Sequence, residues 1–87
     1  MYKVIIDEKL KKIFIKLKKK SQKQFLIIRK KVQEIKINPH RYKNLRVPLS
    51  NLKRVHIDAH FVLTFSINEK NKTITLEDYE HHKMIYK

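Results

Sequence analysis

The spacing of apolar residues changes halfway along this chain, and that change limits the folds it can adopt. In the first half, apolar residues recur at intervals of three and four, as they do on one face of an α-helix. They form two stripes, which are Leu10, Ile13, Phe14 and Leu17, and then Phe25, Ile28, Val32 and Ile35. In the second half, apolar and polar residues alternate, as in a strand with one buried face. The pattern predicts two amphipathic helices followed by strands, and therefore an α+β fold.

Local signals predict where the two helices begin and end. Asp7 can cap the first helix, and the Lys18-Lys19-Lys20 run is expected to break it. Ser21 followed by Gln24 three residues later matches the capping box that opens a second helix. The pair Asn38-Pro39 should end that helix, because proline disfavours helical backbone in the residue before it. These signals predict a helical hairpin.

The β-branched stretch from Tyr2 to Asp7 predicts a short strand ahead of the helices. Three more strands are predicted over residues 53–57, 60–67 and 72–79, followed by an extended tail over residues 80–87. In the middle strand, Phe61 to Ile67 should turn alternate residues toward the helices and the others outward. These three strands are predicted to form an antiparallel meander.

Length and composition narrow the class of protein. With 87 residues the chain has room for one hydrophobic core, so we expect a single domain over residues 1–87. It contains no Cys, which removes disulfides and thiolate zinc sites as sources of stability. The longest apolar run, Phe25 to Ile28, is far shorter than the roughly 20 residues that span a bilayer. We therefore expect a soluble, cytoplasmic protein with no membrane partner.

The charge is strongly positive and unevenly distributed. Lys and Arg number 22 against 8 Asp and Glu, a formal net charge of +14. Residues 1–54 hold 18 Lys and Arg against 3 Asp and Glu, whereas residues 55–87 hold 4 against 5. Such a field attracts phosphate backbones, so nucleic acid is the expected partner. Genome bias or a hot habitat is an alternative source of a Lys-rich, Cys-free composition.

Residues able to transfer protons concentrate in one strand and in the tail. Arg54 and His56 alternate with apolar residues, so both should project from the sheet face away from the core. The tail brings His81, His82, Lys83 and Tyr86 together within six residues. Without a metal, RNA is cleaved when a base takes the proton of a 2′-OH, which then attacks the phosphate while an acid protonates the leaving oxygen. Imidazoles suit either proton role near neutral pH.

Other residues are candidates for binding RNA rather than for cleaving it. Tyr86 could stack on a base, and Arg46, Lys53 and Lys83 could neutralise phosphates. Ordinary surface positions are the alternative explanation, since adjacent His81 and His82 in an extended tail would point in opposite directions. No His pair has the helical i, i+4 spacing of a zinc site, so no metal is predicted.

The order of elements, Leu45-Arg46, the hairpin from Lys53 to Ile67, and the closing His81-His82-Lys83-Met84-Ile85-Tyr86 together resemble the RelE/ParE superfamily of toxins. The resemblance covers nearly the whole chain. It implies a helical hairpin packed on one face of a four-stranded, mainly antiparallel sheet.

The resemblance also implies where the active surface lies. Arg54, His56, His82 and Tyr86 occupy places that correspond to the active surface of RelE-type enzymes. Val62 stands where the family often has Arg, with His60 two residues earlier as a candidate phosphate contact. His82 stands where Arg is common.

The implied function is that of a toxin which cleaves messenger RNA in the ribosomal A site without a cofactor. A cognate RelB-like antitoxin would cover its basic surface in a hetero-oligomer. A ParE-like inhibitor of DNA gyrase and a basic RNA-binding module without catalysis are the alternatives.

Overall fold

A computed structural model describes residues 1–85. Its strands are β1 (Lys3–Ile6), β2 (Lys53–Ile57), β3 (Phe61–Asn68) and β4 (Thr73–His81). Its helices are α1 (Glu8–Lys20), α2 (Gln22–Ile37) and α3 (His82–Ile85), with a short 3₁₀ helix over Pro39–Arg41. The predicted order of a strand, a helical hairpin and three strands is confirmed. Within residues 1–85, no helix is both long enough and apolar enough to cross a membrane.

The helical hairpin is defined by its caps. The Asp7 carboxylate accepts a hydrogen bond from the Leu10 N–H (2.8 Å), and the Ser21 hydroxyl accepts one from the Gln24 N–H (3.4 Å). α1 continues through Lys20, so the prediction that the lysine run breaks the helix was wrong. Cations at the last turn favour a helix end because they offset its negative dipole. Asn38 follows α2, as the proline after it predicted.

The sheet has the strand order β1-β4-β3-β2. β2 and β3 pair antiparallel, as do β3 and β4, whereas β1 runs parallel to β4. A bulge in β4 at Glu77 shifts the register, so that Phe65 pairs with Leu76 but Thr64 pairs with Asp78. The four-stranded, mainly antiparallel sheet is confirmed.

The core lies between one face of the sheet and the two long helices. It is built from buried residues of α1, α2 and the three long strands: Leu10, Phe14, Ile28, Ile35, Val55, Ile57, Leu63, Phe65, Ile74, Leu76 and Tyr79. The other face was expected to point outward along all of β3, and this was wrong. Val62 and Thr64 on that outer face are only 0% and 1% exposed. α3 contacts β3 and β4 near the end of the sheet.

The end of the chain also differs from the extended tail that was predicted. β4 continues to His81, and α3 begins at His82. The His82 N–H donates to the His60 carbonyl (2.9 Å), so the tail is held against the β2–β3 turn. This change from strand to helix alters how His81 and His82 are oriented.

Candidate active site

Two basic residues occupy the outer face of the edge strand β2. Val55 and Ile57 are buried in the core, so Arg54 and His56 project from the opposite face, as their alternation predicted. His56 is exposed and Arg54 is half-buried. The Arg54 N–H donates to the Lys43 carbonyl (3.0 Å), which fixes this part of the strand to the preceding segment.

The sheet register places these residues at the ends of two cross-strand rows. The rows are Arg54–Thr64–Asp78 and His56–Val62–Glu80. Since neighbouring strands are about 4.8 Å apart, the backbone at the two ends of a row is about 10 Å apart. Each row therefore has a basic residue at one end, a buried residue in the middle and a carboxylic acid at the other end.

Val62 holds the position at which the resemblance leads one to expect arginine. Its side chain is 0% exposed, so it cannot contact a phosphate in solution. Arg54, in the adjacent row of the same face, supplies a guanidinium to this surface. A site that uses this face would take its phosphate contact from β2 rather than from β3.

A cluster of three histidines lies at the end of the sheet next to these rows. His60 comes from the β2–β3 turn, His81 ends β4 and His82 begins α3. The ring centroids of His81 and His82 are 4.7 Å apart, and those of His60 and His81 are 5.8 Å apart with nearly parallel planes. The expectation that His81 and His82 point in opposite directions was wrong, because the strand ends between them. We call these three residues the histidine cluster.

Hydrogen bonds to backbone groups fix two of these rings. His82 Nδ1 lies 3.2 Å from the His60 carbonyl oxygen. A carbonyl only accepts, so His82 Nδ1 carries the proton and Nε2 of the neutral ring has a free lone pair. The Lys83 N–H donates to His81 Nδ1 over 3.3 Å.

The electrostatic environment of His81 favours the neutral ring. Partial burial lowers the pKa of His81 below its ordinary value of 6.5, and the positive charges of His82, His60 and Lys83 lower the pKa further. A neutral imidazole can accept a proton at neutral pH, which suits a base better than an acid, but His81 Nδ1 would first have to release the Lys83 N–H.

The other predicted contacts lie in different surroundings. Lys53 is half-buried, and its ammonium donates to the Tyr42 carbonyl (2.9 Å) and to Asn44 Oδ1 (2.8 Å). It alternates with Arg54, so it starts from the other face of β2. Arg46 is exposed in the loop before β2, and its carbonyl accepts from the Leu49 N–H (2.8 Å).

Two predicted tail residues remain. Lys83 is exposed in α3, one residue after the histidine cluster. Tyr86 lies outside the described residues.

Sequence reasoning missed that His60 belongs with His81 and His82, having taken it as a separate phosphate contact. The signal was the antiparallel pairing of β3 with β4. In such a pair, neighbouring residues of one strand face neighbouring residues of the other, so the residues that face His60 and Phe61 are adjacent along the chain. The observed partner of Phe61 is His81, so His60 and His82 meet just past the paired ends of the strands.

The fold and this surface define the class to which the chain can be compared. No protein-family profile matches it. Among solved structures, it superposes on a chain of the toxin–antitoxin complex RelBE2 from Mycobacterium tuberculosis with a TM-score of 0.76, covering 92% of this chain and 96% of that one at 17% identity. A conserved hypothetical protein from Helicobacter pylori superposes with a TM-score of 0.61 at 19% identity, covering 98% and 99%. The fold is therefore that of the RelE toxins.

Sequence comparison places the chain within a family. It is 52% identical to a protein of Methanocaldococcus jannaschii named "Putative toxin RelE4", over 100% of this chain and 93% of that protein. It is also 57% identical to an uncharacterized protein of Methanosarcina mazei, over 99% of this chain and 100% of that protein. The chain belongs to the RelE family of toxins.

Proposed function

We propose that this protein is the toxin of a type II toxin–antitoxin pair and cuts messenger RNA on the ribosome. Membership of the RelE family supports the toxin role. The observation that supports the nuclease proposal is that His60, His81 and His82 lie together at one end of the sheet, beside the row that begins at His56. Arg54 lies in the next row on the same face as His56, whereas His81 starts from the opposite face with its partner Phe61.

The proposed reaction needs no metal because the attacking group belongs to the RNA itself. A neutral imidazole accepts the proton of a 2′-OH, and the oxygen attacks the adjacent phosphorus. The bond to the 5′-oxygen of the next nucleotide breaks, and an acid protonates that oxygen. The products are a 2′,3′-cyclic phosphate and a 5′-OH end. Arg54 stabilises the charge that develops on the phosphate oxygens.

The roles proposed for the remaining residues follow from their chemistry. His56, His81 and His82 are the candidates for base and acid, and the lowered pKa of His81 suits a base. Tyr86 stacks on a base of the message. The candidates for contacting flanking phosphates are His60, Arg46, Lys53 and Lys83. Of these, Lys53 would first have to release its contacts to the preceding loop.

A cognate antitoxin is the proposed partner in the absence of a target. The RelBE2 neighbour is a toxin–antitoxin complex, and this chain carries a formal net charge of +14 that a flexible acidic partner would neutralise. We propose a hetero-oligomer of the two, formed in the cytoplasm where ribosomes are found, with residues 1–87 acting as one domain.

Primer extension on a message translated by purified ribosomes tests the nuclease proposal. Wild-type protein should produce cuts within codons that disappear when ribosomes are omitted. Arg54→Ala should lower the cutting rate by about 100-fold or more, as removal of a charge-stabilising group does. Arg29→Ala is the matched control, because it removes the same charge from an exposed position on α2 and should leave the rate unchanged.

The opposite outcomes are equally informative. If Arg29→Ala slowed cutting as much as Arg54→Ala, the total charge rather than the outer face of β2 would be responsible. If wild-type protein left the message whole, the nuclease proposal would be wrong. Inhibition of gyrase supercoiling by the same preparation would then identify a ParE-like toxin.

A further inference from the structure

The histidine cluster has the composition of a metal site as well as that of a proton-transfer site. We propose that His60, His81 and His82 bind a divalent first-row transition metal ion, of the class that includes Zn²⁺, Ni²⁺ and Cu²⁺. One nitrogen from each ring can be chosen so that all three lie within 4.8 Å of one another. The sequence pointed to no metal because no two histidines share a helix face, yet here three separate elements supply the ligands.

The distances are close to those of a bound site. Zn–N bonds of about 2.0–2.1 Å in a tetrahedral site put ligand nitrogens about 3.4 Å apart. The nitrogens therefore need to approach one another by about 1.4 Å or less, and the stacked His60 and His81 rings need to rotate so that both lone pairs point to the ion. His60 lies in a turn and is exposed, so rotation about its side-chain bonds can supply this movement.

One ring already has the orientation of a ligand. Histidines that bind metals usually donate their second ring N–H to a carbonyl or carboxylate, which fixes the tautomer and raises the basicity of the other nitrogen. His82 does this through Nδ1 to the His60 carbonyl, leaving Nε2 for the ion. The same carbonyl accepts from the His82 backbone N–H, so the turn and α3 that carry two of the ligands are held together.

The ligand type selects the class of ion. Neutral imidazoles favour Zn²⁺, Cu²⁺ and Ni²⁺, whereas Mg²⁺ and Ca²⁺ prefer oxygen ligands. Three imidazoles leave at least one coordination position open to water. The excess positive charge of the protein opposes a cation, but that excess lies in residues 1–54. Residues 55–87 hold 4 Lys and Arg against 5 Asp and Glu.

A cation bound here would interfere with the proposed cleavage. This inhibition rests on the proposed function, whereas metal binding itself does not. Metal coordination occupies the imidazole lone pairs that would accept a proton, so occupancy of the site should slow cutting. The ion is then an inhibitor rather than a cofactor. Binding itself is measured without RNA or ribosomes, so a failure of the metal proposal is distinguishable from a failure of the nuclease proposal.

Isothermal titration of the untagged full chain with ZnCl₂ is the test. We expect one ion per chain for the wild type and affinity at least about tenfold weaker for His60→Ala, His81→Ala and His82→Ala. His40→Ala and His56→Ala are matched controls, because each also removes one imidazole from the chain but leaves the cluster intact. They should bind within about twofold of the wild type.

A second measurement needs no variant and so does not depend on how the variants fold. The ¹⁵N signals of the imidazoles in the wild type should shift on addition of ZnCl₂ for His60, His81 and His82, with those of His40 and His56 unchanged. Absence of saturable binding by the wild type would overturn the proposal. So would weakening by the control variants equal to that by the cluster variants.

Discussion

Two groups of titratable residues lie at opposite ends of β3, and they are built differently. The histidine cluster includes His60, directly before the strand, whereas Glu69 follows directly after it. The ends are about 30 Å apart at the usual rise of a strand. At the far end, the Glu69 carboxylate contacts the Tyr2 hydroxyl, His40 Nε2 and Lys72 Nζ, the last at 2.7 Å. We call these four residues the glutamate cluster.

The glutamate cluster has its charges balanced and its polar groups engaged. The hydrogen bond from Lys72, followed by those from Tyr2 and His40, lowers the pKa of Glu69 from 4.5 to about 2. These partners come from the segment before β1, from the 3₁₀ helix and from the β3–β4 turn. The cluster therefore ties three parts of the chain together, and its role is structural.

The histidine cluster consists of like groups whose polar contacts are with the backbone. Its rings stack on one another, and their nitrogens contact the His60 carbonyl and the Lys83 N–H. At least one ring nitrogen, His82 Nε2, keeps a lone pair available. The two clusters therefore differ in their polar partners, which are side chains of opposite charge around Glu69 and backbone groups around the histidines.

The burial of the outer face of β3 also differs between the end at the histidine cluster and the end at the glutamate cluster. Val62 and Thr64, toward the histidine cluster, are buried. Ser66 is half-buried and Asn68, beside the glutamate cluster, is exposed. The buried end of this face is therefore the end at which the histidine cluster lies.

The largest expected difference between the clusters is in activity. If the proposed nuclease function holds, His82→Ala should slow ribosome-dependent cleavage by about 100-fold or more, as loss of a general acid or base does. His40→Ala removes an imidazole from the other cluster and should leave the rate within about twofold. Single-turnover cleavage on programmed ribosomes measures both. Equal losses would show that the division of roles between the two ends is wrong.

The next largest effect tests the covered end of the outer face. Val62→Ala should lower the free energy of unfolding by about 2 kcal/mol, because it leaves a cavity at a position that is 0% exposed. Ser66→Ala, at the open end of the same face, removes a hydroxyl that donates to Glu77 Oε2 (2.7 Å) and should cost about 1 kcal/mol or less. Urea denaturation of the two variants gives the comparison. A larger loss of unfolding free energy for Ser66→Ala than for Val62→Ala would contradict the assignment of Val62 to the more buried end of this face.

The sequence predicted most of the fold because its signals are local. The helix caps at Asp7 and Ser21 and the period of two in β3 each depend on a few neighbouring residues. The placement of Arg54 and His56 away from the core followed from the same period. Such patterns are read within one element and need no knowledge of its partners.

The orientation of the site residues on β4 was predicted less well because it depends on the bulge in that strand. Without the extra residue at Glu77, simple pairing from the β3–β4 turn would place Phe61 opposite Glu80 and would turn Tyr79 to the outer face. With it, Tyr79 enters the core and His81 lies opposite Phe61. No residue in the sequence marks this bulge, so the face of the sheet from which His81 projects could not be predicted from local pattern.

A smaller effect is expected from the glutamate cluster. Glu69→Gln keeps the shape of the side chain but removes the charge that its cationic partner pairs with. The cluster is exposed and screened by solvent, so Tm should fall by no more than about 4 °C. Glu8→Gln is the matched control, since among residues 1–85 Glu8 forms an ion pair only with Lys11, at 3.6 Å, and should shift Tm less. Thermal unfolding followed by circular dichroism measures the difference, and equal shifts would argue against a structural role for the cluster.

The smallest effect is a pH dependence that isolates the Glu69 carboxylate from the other acids. Its pKa is lower in the folded chain, about 2, than its ordinary value of 4.5, so the folded state favours the charged form. The stability that this supplies is fully present above about pH 4.5 and is lost as the pH falls toward 2. Lys72 stays charged throughout that interval, and Tyr2, whose pKa is raised chiefly by Glu69, stays neutral. The difference in unfolding free energy between wild type and Glu69→Gln should therefore be constant above pH 4.5 and shrink steadily below it. A difference that persisted undiminished at pH 2 would mean that shape rather than charge gives Glu69 its role.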